Sequence, residues 1–196
     1  DSSELQGGGT ATLNIDNSTI YIDGTNAADK DRYVAIGRSG GTGVVNQTGA
    51  NSLVKLVGLG AVGIGEGNGS HGTYNLNGGR LEVGSDTKKD SFHVGLKYWG
   101  TESASTAIFN VNGGTADIKG NLQIGAGGGN GKYATGTVNL NSGLIDVGGK
   151  VVDAGVLELG PHAAEDPDGV LVAEPGVAAT GSSRGVDVAE AVLSGL

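Results

Sequence analysis

Cysteine and methionine are absent from the 196 residues, proline occurs three times, and the aromatic residues are one tryptophan, five tyrosines and two phenylalanines. Without cysteine the chain has no disulfides and no thiolate metal sites. No apolar run approaches the roughly 18 residues that a membrane-spanning helix needs, so no membrane insertion is expected. Basic residues are also few: 12 Lys and Arg stand against 21 Asp and Glu, a formal charge of −9. That balance argues against sequence-independent binding to nucleic acid or to an anionic membrane. The chain begins with Asp1 and not with Met, which fits a mature form whose signal peptide has been removed or an excised piece. A cysteine-free chain also suits an extracellular protein that needs no oxidative folding.

What the sequence has in excess is glycine, 40 residues of it. The glycines follow no Gly-X-Y period, which excludes collagen, and they fall between short β-like runs as turn punctuation. Hydrophobic content is 37%, low but regularly placed, which argues against disorder.

The unit of the pattern is Gly72-Thr-Tyr-Asn-Leu-Asn-Gly-Gly-Arg-Leu-Glu-Val-Gly84, followed by Phe92-His-Val94 and Gly95. Alternation puts Tyr74, Leu76, Leu81, Val83, Phe92 and Val94 on one side and the polar residues on the other. The unit recurs about five times, and its first strand aligns on Asn14, Asn46, Asn75, Asn110 and Asn139. Inward pairs beside them are Leu13/Ile15, Val45/Gln47, Tyr74/Leu76, Phe109/Val111 and Val138/Leu140. A second strand supplies Ile20/Ile22, Val54/Leu56, Leu81/Val83, Ala116/Ile118 and Ile145/Val147. A third supplies Val34/Ile36, Val62/Ile64, Phe92/Val94, Leu122/Ile124 and Leu157/Leu159, each closed by a glycine (Gly37, Gly65, Gly95, Gly125, Gly160).

Three strands per repeat make a three-sided coil, and one coil cannot bury its own apolar face. Stacking the coils about 4.8 Å apart gives every strand a partner above and below. The expected fold is all-β: a parallel β-helix (β-solenoid) of about five coils over residues 10–160. A flexible leader precedes it at 1–9, and a C-terminal segment at 161–196 caps the stack or pairs with another subunit. Beyond residue 160 the pattern breaks, and six acidic residues face one arginine.

Segments such as Gly72-Thr-Tyr-Asn-Leu-Asn-Gly-Gly79, Thr106-Ala-Ile-Phe-Asn-Val-Asn-Gly-Gly114 and Gly136-Thr-Val-Asn-Leu-Asn-Ser-Gly143 resemble the repeats of secreted autotransporter-type passenger domains. They are also similar to Gly/Asn/Thr-rich repeats of bacterial surface proteins. The resemblance covers about residues 10–160 and implies a right-handed β-helix at or outside the cell surface.

Five features carry candidate chemistry. The outer columns of the first strand hold Asn75, Asn77, Asn110, Asn112, Asn139 and Asn141, a periodic polar face that suits a glycan or an ice lattice. The competing and favoured reading is an asparagine ladder, whose stacked amides bond along the solenoid. Asp23, Asp29, Asp31, Asp86 and Asp90 lie in coil-joining loops and could supply calcium ligands. Lys30, Arg32, Lys88 and Lys89 sit among them, so solvated loops are favoured and no cofactor is expected. The outward column Glu82, Asp117 and Asp146 could imitate a polysaccharide-cleaving carboxylate cluster; Tyr21 and Lys55 begin the same column, and opposite charges there would pair across coils. His71, His93 and His162 occupy unrelated positions. Tyr98 and Trp99, on the longest loop, are candidates for sugar stacking or a protein interface. Finally, Val170, Val172, Val186, Val188 and Val192 are candidates for pairing with a neighbouring subunit, or for covering this chain's own end.

The favoured function is a non-enzymatic structural protein, secreted or at the cell surface, whose main partner is itself in a filament or matrix. The alternatives are a glycan-binding or adhesive module and, less favoured, a carbohydrate-active enzyme.

Overall fold

The computed structural model describes residues 8–25, 33–67, 69–97, 105–127, 134–153, 156–159, 164–165 and 170–173. All regular structure among them is β. The first coil contains β1 (Thr10–Asp16), β2 (Thr19–Asp23) and β3 (Tyr33–Arg38). The second contains β4 (Thr42–Thr48), β5 (Leu53–Val57) and β6 (Ala61–Glu66). The third contains β7 (His71–Leu76), β8 (Arg80–Val83) and β9 (Ser91–Lys97). The fourth contains β10 (Thr106–Val111), β11 (Thr115–Ile118) and β12 (Leu122–Gly127). The fifth contains β13 (Thr135–Leu140), β14 (Gly143–Val147) and β15 (Val151–Asp153), and β16 (Val156–Leu159), β17 (Ala164–Glu165) and β18 (Val170–Ala173) follow.

Equivalent strands stack into three sheets, so the fold is a parallel β-solenoid. Sheet A runs β1-β4-β7-β10-β13-β16, sheet B β2-β5-β8-β11-β14-β18-β17, and sheet C β3-β6-β9-β12-β15. All pairings along the coils are parallel, and the two made by β18, with β14 and with β17, are antiparallel. The register joins Asn14, Asn46, Asn75, Asn110 and Asn139 in one line, as the sequence alignment expects.

One strand falls elsewhere than expected. Leu157 and Leu159 pair with Val138 and Leu140, so Val156–Leu159 begins a sixth layer of sheet A. The third strand of the fifth coil is Val151–Asp153, in register with Leu122, Gln123 and Ile124. Alternation alone cannot tell which sheet a strand joins, and an aspartate, Asp153, in register with Ile124 hid the true third strand.

Inside the tube, the inward pairs of the second to fifth coils form a continuous core. Leu76, Leu81, Phe92, Phe109, Ile118, Leu122, Ile124 and Leu140 have no solvent exposure. Phe109 packs edge-on against Tyr74 and Phe92, with centroids 5.8 and 5.1 Å apart. Gln47 is a polar residue at an inward step and is fully buried. Its Oε1 accepts from the Tyr74 hydroxyl at 2.6 Å, and its Nε2 donates to the Arg80 and Ser52 carbonyls at 3.0 and 3.3 Å. With its partners satisfied, the buried amide carries little penalty.

The corner after the third strand needs glycine for two reasons. Gly37 has φ of 71°, and a Cβ there would meet the His71 carbonyl oxygen at 2.0 Å. A side chain would therefore be both strained and driven into β7 of the third coil.

Candidate binding face and buried ionisable cluster

Asparagine stands outward on sheet A because its neighbours in each first strand are the inward apolar residues. Parallel in-register stacking then brings like amides together, and they form two ladders. In the first, Asn46 donates to Asn14 at 2.8 Å, Asn75 to Asn46 at 2.8 Å, Asn110 to Asn75 at 2.7 Å and Asn139 to Asn110 at 2.7 Å. In the second, Asn112 donates to Asn77 at 2.8 Å and Asn141 to Asn112 at 2.7 Å. The first ladder is half-buried from Asn46 onward and the second is exposed. Every bond points the same way, from Nδ2 of the later coil to Oδ1 of the earlier one. Each donating amide spends one N–H on the ladder and has a second N–H besides, while Asn14 and Asn77 only accept.

The carboxylates of sheet B are taken up by cations. Lys55 Nζ lies 2.6 Å from Glu82, Arg80 lies 3.0 Å from Glu82 and 2.7 Å from Asp117, and Lys119 lies 3.0 Å from Asp117. The hydrogen bond to Asp117 holds both Arg80 and Lys119 above their ordinary values. Asp117 is buried, and cross-coil pairing describes this column. Asp146 is in register with Asp117.

The loop carboxylates serve local structure. Asp90 is buried and accepts from the Gly60 and Leu59 amides at 2.7 and 3.2 Å. Asp23 accepts from the Tyr21 hydroxyl at 3.0 Å and the Thr25 amide at 2.8 Å. Asp86 is exposed, 3.8 Å from Lys119. Among the described residues no three His, Asp or Glu side chains gather around one point. Asp29, Asp31, Lys30 and Arg32 lie outside the described residues.

Tyr98 and Trp99 also lie outside them, as do His162, Val186, Val188 and Val192. Val170 and Val172 fall in β18, where the backbone pairs Val170 with Asp146 and Val172 with Leu144 of the same chain. His71 is exposed, with Nδ1 2.6 Å from Thr106 Oγ1.

Sequence reasoning missed a cluster on the outer face of sheet C. Glu66 is 3% exposed and His93 4%, unusual for ionisable groups on an outward face. Tyr33 covers the spot: a Cβ on Gly63 would lie 1.8 Å from the Tyr33 hydroxyl and 3.6 Å from Glu66 Oε2. Arg38 stacks over the Tyr33 ring at 5.8 Å and reaches to 3.8 Å from Glu66 Oε2, beyond hydrogen-bond range. His93 is in register with Gly63, one strand along. Burial pushes the Glu66 carboxyl above its ordinary value, opposed by the Tyr33 hydroxyl and Arg38. Burial pushes the His93 imidazole below its own. Neither Glu66 Oε2 nor His93 Nδ1 has a hydrogen-bond partner among the described residues. The signal was available only as Gly63, whose missing side chain leaves a slot for a tyrosine thirty residues earlier.

The two ends of the stack differ. At the first coil β1, β2 and β3 are each the outermost strand of their sheet. Leu13 and Ile22 are 47% and 38% exposed there, at the mouth of a cavity of about 410 Å³ lined also by Ile20, Val34, Val54 and Tyr74. At the other end β18 lies across the edge of β14.

No protein-family model matches the chain, and neither a curated protein nor a solved structure matches it.

Proposed function

We propose that this chain is a non-catalytic structural β-solenoid of the cell surface or extracellular matrix that assembles with itself end to end. The observation that carries this reading is where unsatisfied groups are found. Along the flanks, outward amides and charges bond to the next coil, as in Asn75–Asn110 and Arg80–Asp117. At the first coil, by contrast, no described strand lies beyond β1, β2 and β3, and an apolar cavity mouth lies beside them. Open edges and exposed apolar surface favour association of β-coils over binding of a small polar substrate. Light scattering across a wide concentration range, followed by negative-stain microscopy, tests it. Mass that rises with concentration, with linear particles, is the expected result, and a monomer at every concentration overturns it.

A glycan-binding reading draws on a different observation, the exposed second ladder of Asn77, Asn112 and Asn141. It requires that Asn77→Ala and Asn112→Ala weaken retention on an immobilised polysaccharide without altering the mass of the particle.

A further inference from the structure

The corner after the first strand carries a reactive dipeptide in two successive coils. Among the described residues two asparagines stand directly before a glycine, Asn77 before Gly78 and Asn112 before Gly113. Both side chains are exposed, and both belong to the second ladder. An asparagine so placed can cyclise. The glycine backbone nitrogen attacks Cγ and forms a C–N bond, and the Cγ–Nδ2 bond breaks with loss of ammonia, which carries off the glycine amide proton. Water then opens the cyclic imide to aspartate or isoaspartate. Glycine favours the attack because no Cβ shields its nitrogen. The Gly78 and Gly113 N–H groups make no hydrogen bond to a described residue. In the first ladder, by contrast, the successors Ile15, Gln47, Leu76, Val111 and Leu140 carry side chains and lie inside paired strands. After Asn141, the Ser142 N–H is occupied by the Val111 carbonyl at 3.2 Å.

The two corners differ in what restrains them. Asn112 Nδ2, the leaving group there, donates to Asn77 Oδ1 at 2.8 Å. Ser142 Oγ donates to the Asn112 carbonyl at 2.5 Å and pins that corner. Asn77 has neither restraint among the described residues. It only accepts on the ladder, and above its carbonyl stands Gly113, where a Cβ would lie 2.9 Å from the oxygen. The bond that Asn77 Oδ1 accepts also draws charge toward the oxygen that turns negative as Cγ is attacked. The aspartate product suits position 77 as well: a carboxylate there still accepts from Asn112, now with charge assistance. At position 112 a carboxylate has no proton to give to Asn77 Oδ1.

We propose that Asn77–Gly78 is a self-modification site, at which the folded chain converts an exposed ladder amide into a carboxylate and adds negative charge to the outer face of sheet A. The inference goes beyond the assembly reading and does not depend on it.

The purified full chain is held folded at neutral pH and physiological temperature, and a second sample is held unfolded in guanidinium. Site-resolved mass spectrometry follows aspartate and isoaspartate at both positions, and each folded rate is divided by the rate at the same site in the unfolded chain. That ratio is larger for Asn77 than for Asn112 by at least about fivefold, the factor that one hydrogen bond is worth. Gly78→Ala slows conversion at Asn77 by at least about tenfold. Asn77→Asp melts within about 2 °C of the parent, and Asn112→Asp melts lower than Asn77→Asp. Equal ratios at the two sites, a larger ratio at Asn112, or no conversion of Asn77 in the folded chain overturns the proposal. Conversion that persists undiminished in Gly78→Ala also overturns it, because the attack would then not come from that nitrogen. If Gly78→Ala does not fold, the parent-chain ratio alone decides, since it needs no variant.

Discussion

Asn110 Nδ2 donates to Asn75 Oδ1 at 2.7 Å, and Asn110 Oδ1 in turn accepts from Asn139 Nδ2 at 2.7 Å. An interior rung is therefore held on both sides, whereas Asn141 donates one ladder bond from an exposed position. Asn110→Ala removes two bonds and leaves one half-buried donor and one half-buried acceptor without partners. The expected cost is about 2 kcal/mol, against about 0.5 kcal/mol for Asn141→Ala, where water replaces the lost partner. Urea denaturation of both variants checks the ratio. Equal small losses would mean that the ladder orders the face without stabilising the fold.

The ladder stops at Asn139. Its Oδ1 is buried and has no hydrogen-bond partner among the described residues, and the register places position 158 at the next rung. Glutamate occupies that position, and an ionised carboxylate has no proton to donate. Glu158→Asn brings an amide N–H to the rung and should stabilise the chain by about 1 kcal/mol. Thermal melts at neutral pH are the measurement. A lower Tm in the variant would show that the glutamate has a role the ladder does not explain.

His93 gives the fold an acid sensitivity. Its folded-state pKa is lowered by burial from the ordinary 6.5, so the unfolded chain takes up the proton first as pH falls. Stability is thus fully present above about 6.5 and declines below it until the folded imidazole also titrates. Glu66 works with the opposite sign: its raised folded pKa means that stability falls as pH rises through the ordinary glutamate range. His93→Gln should make the decline of the urea midpoint between about pH 7 and pH 5 shallower. Glu66→Gln should leave that acid decline in place. An unchanged pH slope in His93→Gln would sink the assignment.

Much of this architecture is legible in the sequence because two constraints repeat at every coil. An outward asparagine between two inward residues marks the register of sheet A, and Asn14 through Asn139 fall on one line for that reason. Inward residues such as Leu81 and Ile118 are legible because period-two alternation leaves them no other place in a stacked coil. Leu157 and Leu159 were placed on the wrong sheet because alternation says which way a residue faces, while corner length decides which wall it joins. The Glu66–His93 cluster was hidden for another reason. Tyr33 of the preceding coil folds over Gly63 beside Glu66, a contact between chain-distant positions that no local pattern announces. Gln47 is legible as an inward residue, but its partners, the Tyr74 hydroxyl and the Ser52 and Arg80 carbonyls, are not.

The relation between Tyr33 and Gly63 makes the last prediction. Gly63 lies within β6, and no left-handed conformation holds it there, so its backbone would accept alanine. In a strand, alanine for glycine is intrinsically stabilising by a few tenths of a kcal/mol to about 1 kcal/mol. Here, however, the added methyl would meet the Tyr33 hydroxyl at 1.8 Å. Tyr33 must then swing away, uncovering Glu66 and the neighbouring His93. Gly63→Ala should therefore destabilise by about 1–3 kcal/mol, the usual range for overpacking. In a Tyr33→Ala background the same substitution meets no tyrosine and should be neutral or slightly stabilising. The double-mutant cycle isolates the coupling. A second readout separates this account from a general loss of packing. Once Tyr33 is displaced, water reaches His93, and its imidazole pKa, followed by NMR, should move back up toward 6.5. A cycle with no coupling, or an imidazole that stays where burial put it, would show that Tyr33 is not what closes this face.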